Sequence, residues 1–149
     1  MRVSVIGGSS VDPETADLAR DLGRELGERG HAMVCGGLSG VMRAAAEGVA
    51  SAGGTTIGIL PGTDRAAANE FVDVAIATGL GDARNALVAL NGDAVIAVDG
   101  GPGTLSEIGL ALARGRPVVG LETFDVPGVE HVDDAAAAVA AVESAAPGD

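Results

Sequence analysis

The chain has 149 residues, of which 24 are glycine and only two, Phe71 and Phe124, are aromatic. This length predicts one compact domain whose core needs no metal or disulfide to stabilise it. All nine basic residues are arginine, which excludes chemistries that need lysine, such as a Schiff base or a P-loop. A single cysteine, Cys35, and two histidines, His31 and His131, exclude an internal disulfide and a Cys/His zinc cluster.

The chain is strongly acidic, with 21 acidic residues against nine basic ones and a formal net charge of −12. This charge disfavours nucleic acid as a partner, because the arginines are scattered along the sequence. The composition is typical either of a protein kept soluble in high salt or of an ordinary acidic protein. We find no secretory signal and no long apolar stretch, so we expect a cytoplasmic protein that does not bind membranes.

Short apolar runs alternate with longer stretches of helical periodicity. In chain order, the predicted strands are 3–6, 31–34, 55–60, 72–76, 94–98 and 118–121, and the predicted helices are 13–29, 40–52, 82–91, 104–114 and 133–145. Continuous apolar strands are typical of parallel strands covered on both faces. The pattern therefore predicts the α/β class: a Rossmann-like, doubly wound parallel sheet in one three-layer domain, 1–149, with a frayed end at about 146–149.

The first predicted helix and the segment 61–70 are the most informative about local structure. Asp12 can cap the helix, Pro13 suits its first position, and Gly30 suits the left-handed residue after its end. A buried stripe is predicted at Leu18, Leu22 and Leu26. The segment 61–70 is the longest connection, and is either a mobile loop bordering the site or a plain surface loop.

Four glycine-rich segments each follow a predicted strand. They are GGSS at 7–10, GGLSG at 36–40, GLGD at 79–82 and GGPGT at 100–104. The carboxyl ends of parallel strands meet at one edge of a sheet, where α/β proteins bind ligands. We therefore expect Gly8, Ser9, Gly36 and Gly37 to line a ligand crevice at that edge.

The GGPGT segment predicts a phosphate site. Gly100, Gly101 and Gly103 allow close backbone approach, and the helix expected to begin near Thr104 offers unpaired N–H groups to an anion. The Thr104 hydroxyl either caps this helix or binds a phosphate oxygen. No GxGxxG motif is present, and the second strand ends without an acidic residue, so we expect a ligand smaller than a dinucleotide.

Glu107 and Arg84 are the candidate catalytic residues. Glu107 is expected in the first turn of the helix after GGPGT, and Arg84 at the start of the helix after GLGD. A carboxylate beside a bound ribose phosphate can stabilise an oxocarbenium-like centre, while an arginine can bind phosphate, ribose hydroxyls or the carboxylate itself. Alternatively, the helix dipole alone favours the glutamate, and the arginine is a solvated surface residue.

Three stretches of the sequence resemble a known superfamily. They are VSVIGGSS from residue 3, MVCGGLSGVMRAAAEGVASAGGTTIGILPG from residue 33, and ARNALVALNGDAVIAVDGGPGTLSEIGLAL from residue 83. Together they are similar to the Lonely Guy (LOG) or SLOG superfamily, which includes cytokinin riboside 5′-monophosphate phosphoribohydrolases, long mislabelled lysine decarboxylases, and molybdenum cofactor carrier proteins. In the hydrolases an arginine precedes a PGGxGTxxE motif that ends in the catalytic glutamate, an order that Arg84 and Glu107 match.

Two positions depart from that motif. Asp99 stands where the family has the first proline, and Asn85 where a lysine follows the family's arginine. Asp99 either contacts a ribose or base group, donates a proton, or marks a changed ligand. Asn85 is expected to bind ligand oxygens or the GLGD loop. The segments CGGLSGVM and TGLGDARN look closer to the cofactor-carrier branch than to the plant enzymes.

The sequence and the resemblance together lead us to expect a protein that binds a phosphorylated, nucleotide-like ligand. The most concrete activity is hydrolysis of a nucleoside 5′-monophosphate to base and ribose 5-phosphate, with no metal and no required cofactor. The alternatives are a carrier that binds molybdenum cofactor without chemistry, or a nucleotide sensor. The resemblance also implies a homodimer or larger homo-oligomer.

Four further residues have competing interpretations. Ser10 is either a turn residue or a ligand contact, like Ser9. Met42 is expected to pack in the core or to touch a base or pterin. Cys35 is expected to be a small buried apolar residue, and His31, at the opposite edge of the sheet, a structural residue.

Overall fold

A computed structural model describes residues 1–146 of the chain, so residues 147–149 of the predicted frayed end lie outside the described residues. The strands are β1 (Arg2–Gly7), β2 (Ala32–Cys35), β3 (Thr56–Leu60), β4 (Val74–Ala77), β5 (Ala94–Val98), β6 (Val118–Leu121) and β7 (Val129–His131). The helices are α1 (Pro13–Glu28), α2 (Val41–Ser51), α3 (Arg84–Asn91), α4 (Pro102–Ala113) and α5 (Ala135–Ala145). Short 3₁₀ turns occupy Arg65–Ala67 and Gly81–Ala83.

The strands form one parallel sheet in the order β4-β3-β2-β1-β5-β6-β7. The chain adds strands outward from β1 to β4, then crosses back through α3 to place β5 on the other side of β1. The paired ends of these two strands, Gly7 opposite Val98, mark the point where the chain changes direction. In open α/β sheets this is where a crevice forms, so the predicted fold class is confirmed and the ligand edge is located.

The core has two layers, one on each side of the sheet. Val3 and Val5 of β1 face a layer built with α1, α2 and α5. Ile6 faces the opposite layer, built with α3 and α4. Ser4, on that same side, is buried and donates a hydrogen bond from its hydroxyl to the Val88 carbonyl of α3 at 2.6 Å. The alternation along β1 therefore fixes which helices cover each face.

Helix α1 forms as predicted. The Asp12 carboxylate accepts a hydrogen bond from the Thr15 N–H at 2.8 Å, which caps the helix start. Gly30 has φ +77°, the left-handed conformation expected just after the helix. Leu22 and Leu26 are fully buried, and Leu18 packs against the same core layer. Local sequence signals were sufficient for this element.

One predicted boundary and one missing strand need correction. Helix α4 begins at Pro102, two residues before the expected start near Thr104, because proline is favoured at the first helical position. Strand β7 was not predicted, because its three residues after Gly128 are too short to show a period and pair only with β6. The other elements agree with the predicted ones to within about two residues.

The segment 61–70 is largely exposed and contains one 3₁₀ turn. Asn69 connects this segment to the loop after β2 through two hydrogen bonds. The Asn69 N–H donates to the Gly37 carbonyl at 2.9 Å, and the Asn69 side-chain amide donates to the Leu38 carbonyl at 2.8 Å. None of its residues lines the cleft described below. Of the two interpretations of this segment, the structure therefore favours the surface loop, which contacts the cleft wall only through the loop after β2.

Within residues 1–146, no helix has both the length and the hydropathy needed to cross a lipid bilayer.

Candidate functional site

A cleft of about 420 Å³ opens at the carboxyl ends of the strands, next to β1 and β5. All four glycine-rich segments reach it, as the sequence predicted, although GLGD contributes only Asp82. Eleven of the twelve predicted site residues line it: Gly8, Ser9, Gly36, Arg84, Asn85, Asp99, Gly100, Gly101, Gly103, Thr104 and Glu107. The structure therefore brings together residues that are distant in the sequence.

Gly37 is the predicted site residue that does not line the cleft. It is buried with φ +78°, and a Cβ there would lie 2.8 Å from the Leu60 side chain. Glycine is therefore required at this position by the turn and by the packing against β3, and not by contact with a ligand.

The helices that begin at the cleft lack side-chain N-caps. Neither Gly40 before α2, Ala83 before α3, nor Gly101 before α4 offers a side chain to the first N–H groups. By contrast, Asp12 caps α1 and Asp134 caps α5, and neither aspartate lines the cleft. At α2 the Val41 N–H donates to the Gly8 carbonyl at 2.9 Å, and at α3 the Arg84 N–H bonds back into the preceding 3₁₀ turn. The start of α4 is therefore the one of the three that offers its first N–H groups to a bound anion.

The GGPGT loop places its backbone for close contact with such an anion. Gly100 has φ +130°, and a Cβ there would lie 2.6 Å from the Thr104 Cβ, so only glycine fits. The Thr104 hydroxyl is buried and accepts a hydrogen bond from the Gly101 N–H at 3.4 Å. Gly103 is exposed, and by its position in the first turn its N–H has no partner within the helix. Thr104 is thus the third residue of α4 rather than its N-cap: its hydroxyl accepts from the N–H of the N-cap residue, and its own proton stays available to a phosphate oxygen.

Arg84 is buried, with 9% of its surface exposed, so the interpretation as a solvated surface residue is wrong. Its guanidinium lies against the backbone of Gly36, where an added Cβ would be 2.8 Å from the guanidinium carbon. One guanidinium nitrogen donates to the Asn85 side-chain oxygen, and the buried Nε has no hydrogen-bond partner within residues 1–146. The wall of the cleft therefore contains a cation whose position is fixed by packing.

Glu107 lies in the second turn of α4 rather than the first, because the helix begins earlier than predicted. It is 7% exposed, and this burial raises the pKa of its carboxyl to about 7, while the positive charge of Arg84 partly opposes that rise. Across the described chain the two side chains make no direct ion pair, so Arg84 acts on Glu107 through space. At neutral pH both protonation states of Glu107 are populated.

Asp99 immediately follows β5 and has φ +53°, which is uncommon for a residue with a side chain. Its N–H donates to the Leu121 carbonyl at 3.1 Å, and its carbonyl accepts from the Thr123 hydroxyl at 2.7 Å. The carboxylate lines the cleft near Gly8. Two neighbouring segments therefore hold this backbone conformation.

The remaining candidates divide between wall and core. Ser10 is exposed at the cleft wall, and Met42 is 8% exposed and belongs to both the core and the wall. Cys35 is fully buried, which raises the pKa of its thiol to about 11 and keeps it protonated. His31 lies at the opposite edge of the sheet, where its Nε2 is 2.7 Å from the Glu143 carboxylate.

Sequence reasoning did not select Asp82, Leu38 and Pro102, which also line the cleft. Each of them lies inside one of the four glycine-rich segments, and that position is the signal by which the sequence could have identified them. Among residues 1–146, no three His, Cys, Asp or Glu side chains cluster as a metal site would require.

Residues 1–147 match the family model described as the SLOG cluster4 family. The chain belongs to this family. Over 112 residues it is 38% identical to a probable cytokinin riboside 5′-monophosphate phosphoribohydrolase, LOGL9, of Oryza sativa subsp. japonica. That match covers 72% of this chain but only 49% of the rice protein, so the chain spans about half the length of this relative.

Solved structures of similar proteins match this family member over nearly its whole length. The molybdenum cofactor binding protein from Rippkaea orientalis has a TM-score of 0.90 and 35% identity, covering 96% of this chain and 95% of that one. The molybdenum cofactor carrier protein MCP from Chlamydomonas reinhardtii has a TM-score of 0.87 and 36% identity, covering 97% and 96%. The predicted superfamily and its Rossmann-like fold are therefore confirmed.

Proposed function

We propose that the cleft binds a nucleoside 5′-monophosphate and hydrolyses its N-glycosidic bond, releasing free base and ribose 5-phosphate. The observation that carries the proposal is a buried cation, Arg84, and a buried carboxyl, Glu107, that line one cleft beside the uncapped N-terminus of α4. A phosphate bound at Gly101–Thr104 would place the attached ribose within the same cleft. The similarity to the rice phosphoribohydrolase supports this activity.

The phosphate is held by backbone N–H groups and by charge. The first turn of α4 offers the N–H groups of Gly103 and Thr104, and the helix dipole adds a favourable field. Arg84 adds a positive charge at the wall of the cleft. Because the cleft also contains the acidic residues Asp82, Asp99 and Glu107, we expect a single phosphate to be preferred over a di- or triphosphate.

The chemical step requires one ionised carboxylate. As the bond between C1′ and the base breaks, its electron pair leaves with the base and positive charge develops on the ribose ring. Ionised Glu107 stabilises this charge. Water then forms the new C1′–O bond, and its proton passes through the Glu107 carboxylate to the leaving base nitrogen. A carboxyl with a pKa of about 7 can both accept and release that proton at neutral pH.

The test is to incubate the protein, at low and at molar salt, with a panel of nucleoside 5′-monophosphates and to quantify free base and ribose 5-phosphate by chromatography. We expect release by the wild type, complete loss in Glu107→Gln, and retained nucleotide binding in that variant. Glu143→Gln, which alters an acidic residue on the opposite edge of the sheet, is the matched control and should keep full activity. Base release that persists in Glu107→Gln would contradict the catalytic assignment.

The second candidate is a protein that binds molybdenum cofactor without chemistry. The full-length match to the cofactor-binding protein of Rippkaea orientalis favours it, since the plant relative is matched over only half its length. In that case the pterin phosphate would occupy the same N–H groups of α4. Folded protein that releases no base under any salt condition, but binds the cofactor equally well as wild type and Glu107→Gln, would establish this function instead.

A further inference from the structure

We propose that Asp99 selects ligands that bear hydroxyl groups on the ring attached to the phosphate, by accepting a hydrogen bond from them through its carboxylate. The inference rests on the proposed phosphate site at Gly101–Thr104 and narrows its substrate class to ribose-type phosphates. Asp99 directly precedes the GGPGT loop and lines the same cleft, so a sugar whose phosphate is bound by that loop would lie beside it.

The backbone of residue 99 is held in a conformation that a typical side chain avoids. Its φ of +53° is stabilised by the Leu121 carbonyl, which accepts from its N–H, and by the Thr123 hydroxyl, which donates to its carbonyl. Proline, which opens the hydrolase motif, has no N–H and a φ of about −65°, so it cannot occupy this backbone. The loop of this chain is therefore built around a different first residue, and that residue presents a carboxylate.

The carboxylate lies at the wall of the cleft. Asp99 Oδ2 is 3.7 Å from the point that a Cβ on Gly8 would occupy, so the glycine leaves open space beside the acid. Among residues 1–146, Arg84 is the single basic residue that lines the cleft; one of its guanidinium nitrogens donates to Asn85, and it makes no ion pair with Asp99. In the described part of the chain the Asp99 carboxylate accepts no side-chain or backbone hydrogen bond, so its acceptor capacity is free.

An acidic side chain beside a phosphate site weakens phosphate binding unless another group of the ligand interacts favourably with the acid. Two negative charges a few ångströms apart repel, which weakens binding of a bare phosphate. A ligand hydroxyl that donates to the carboxylate offsets this repulsion, because hydrogen bonds to charged acceptors are stronger than neutral ones. Asp99 therefore opposes phosphate alone and favours phosphate joined to a hydroxylated ring.

If Asp99 served only to hold the backbone conformation of the loop, its substitutions would affect ligand binding differently. Aspartate, asparagine and glycine all tolerate positive φ better than other residues, so a turn residue could be exchanged among them without effect on binding. Asp99→Asn keeps the size and the tolerance of positive φ but removes the charge. Asp99→Gly keeps the backbone freedom and removes the side chain.

The experiment measures binding of two base-free probes by calorimetry to the wild type, Asp99→Asn and Asp99→Gly. Ribose 5-phosphate carries the ring hydroxyls, whereas tetrahydrofurfuryl phosphate keeps the ring and the phosphate but lacks them. We expect both variants to bind ribose 5-phosphate roughly tenfold to a hundredfold more weakly, the effect of losing a hydrogen bond to a charged group. Both should bind tetrahydrofurfuryl phosphate as tightly as the wild type or more tightly.

Opposite effects on the two probes separate recognition from structural damage, since a disrupted loop would weaken both. Equal affinity of the wild type for both probes, or unchanged affinities in both variants, would overturn the role of Asp99 while leaving the phosphate site intact. Parallel loss of both probes in Asp99→Gly and Asp99→Asn would also overturn it, in favour of a structural role. Failure of the proposed hydrolysis is detected separately, as the absence of base release from the nucleotide panel.

Discussion

At the scale of single residues, Glu107 links the chemistry of the cleft to the stability of the fold. Its ordinary pKa of 4.5 is raised to about 7 because burial disfavours the charged form. The neutral form is therefore the one that the folded state favours. The stability that the neutral Glu107 carboxyl contributes is fully present below about pH 4.5 and is lost as the pH rises through about 7. The loss lowers the free energy of unfolding by roughly 3 kcal/mol.

We expect Glu107→Gln to raise the free energy of unfolding, and to raise it more at pH 8 than at pH 5, because glutamine cannot ionise. Chemical denaturation at the two pH values measures this. Glu143→Gln is a control of opposite sign: hydrogen bonds from His31 and Arg29 lower the pKa of that carboxyl, so its ionised form stabilises the fold at neutral pH. A Glu107→Gln gain that is the same at both pH values would contradict the burial argument.

If hydrolysis needs ionised Glu107, its rate should have the opposite pH dependence from stability. We expect kcat to rise with pH and to reach half its plateau near pH 7, where this carboxyl titrates. The measurement is a rate profile between pH 5 and pH 9 on the nucleotide that gives the fastest base release. A flat profile across neutral pH would show that Glu107 does not act through its charge.

Gly36 determines where Arg84 can lie. A Cβ at residue 36 would fall 2.8 Å from the guanidinium carbon, so we expect Gly36→Ala to displace the guanidinium and to weaken phosphate binding at least tenfold. Gly62→Ala is the matched control, because a Cβ at Gly62 meets no atom within 4 Å and its φ is not positive. Equal phosphate affinity in the two variants, measured by calorimetry, would show that Arg84 does not bind the anion.

At the scale of elements, the distribution of N-caps divides the helices into two sets. Helices α1 and α5 carry the aspartate caps Asp12 and Asp134, whereas α2, α3 and α4 begin at the cleft without a side-chain cap. Backbone carbonyls satisfy the first N–H of α2 and of α3, so it is at α4 that a bound anion can supply what the aspartates supply to α1 and α5.

The two sets should respond differently to mutation and to phosphate. We expect Asp12→Ala to lower the free energy of unfolding by about 1 kcal/mol without changing the increase in Tm that inorganic phosphate produces. Arg84→Gln should abolish most of that increase. Thermal melts with and without phosphate test both statements, and a phosphate effect that Asp12→Ala removes would place the anion at α1 instead.

At the scale of the whole molecule, the two faces of the sheet are covered unequally. Helices α1, α2 and α5 cover one face, while α3 and α4 leave the edge strand β4 open on the other, because a loop rather than an α-helix connects β3 to β4. Val74 and Ile76 of β4 are 48% and 45% exposed, beside a groove that Ile57 and Leu87 also line. Exposed apolar side chains in a chain of net charge −12 favour an uncharged contact with a second copy.

We expect the protein to form a dimer or larger assembly through this face, and Ile76→Asp to shift it to the monomer. Light scattering coupled to size exclusion measures the mass of each variant. Ala140→Asp, an exposed residue of α5 on the opposite face, is the matched control and should keep the assembly intact. A wild-type monomer, or dissociation by Ala140→Asp and not by Ile76→Asp, would contradict the choice of face.

The sequence by itself determined the features that depend on neighbouring residues. Apolar runs and helical periods predicted six of the seven strands and all five helices of residues 1–146, and Asp12 and Gly30 marked the ends of α1. The position of each glycine-rich loop directly after a strand also predicted which edge of the sheet bears the cleft. These signals are local, because propensity, capping and periodicity act over one or two turns of chain.

Only the tertiary structure decided the properties that depend on several distant segments of the chain at once. Burial of Arg84 against Gly36, the raised pKa of Glu107 and the positive φ of Asp99 each depend on residues that are distant in the sequence. The three-residue β7 exists because β6 offers it a pairing partner. Desolvation and electrostatic fields arise from everything that folding packs around a group, so no short stretch of sequence contains them.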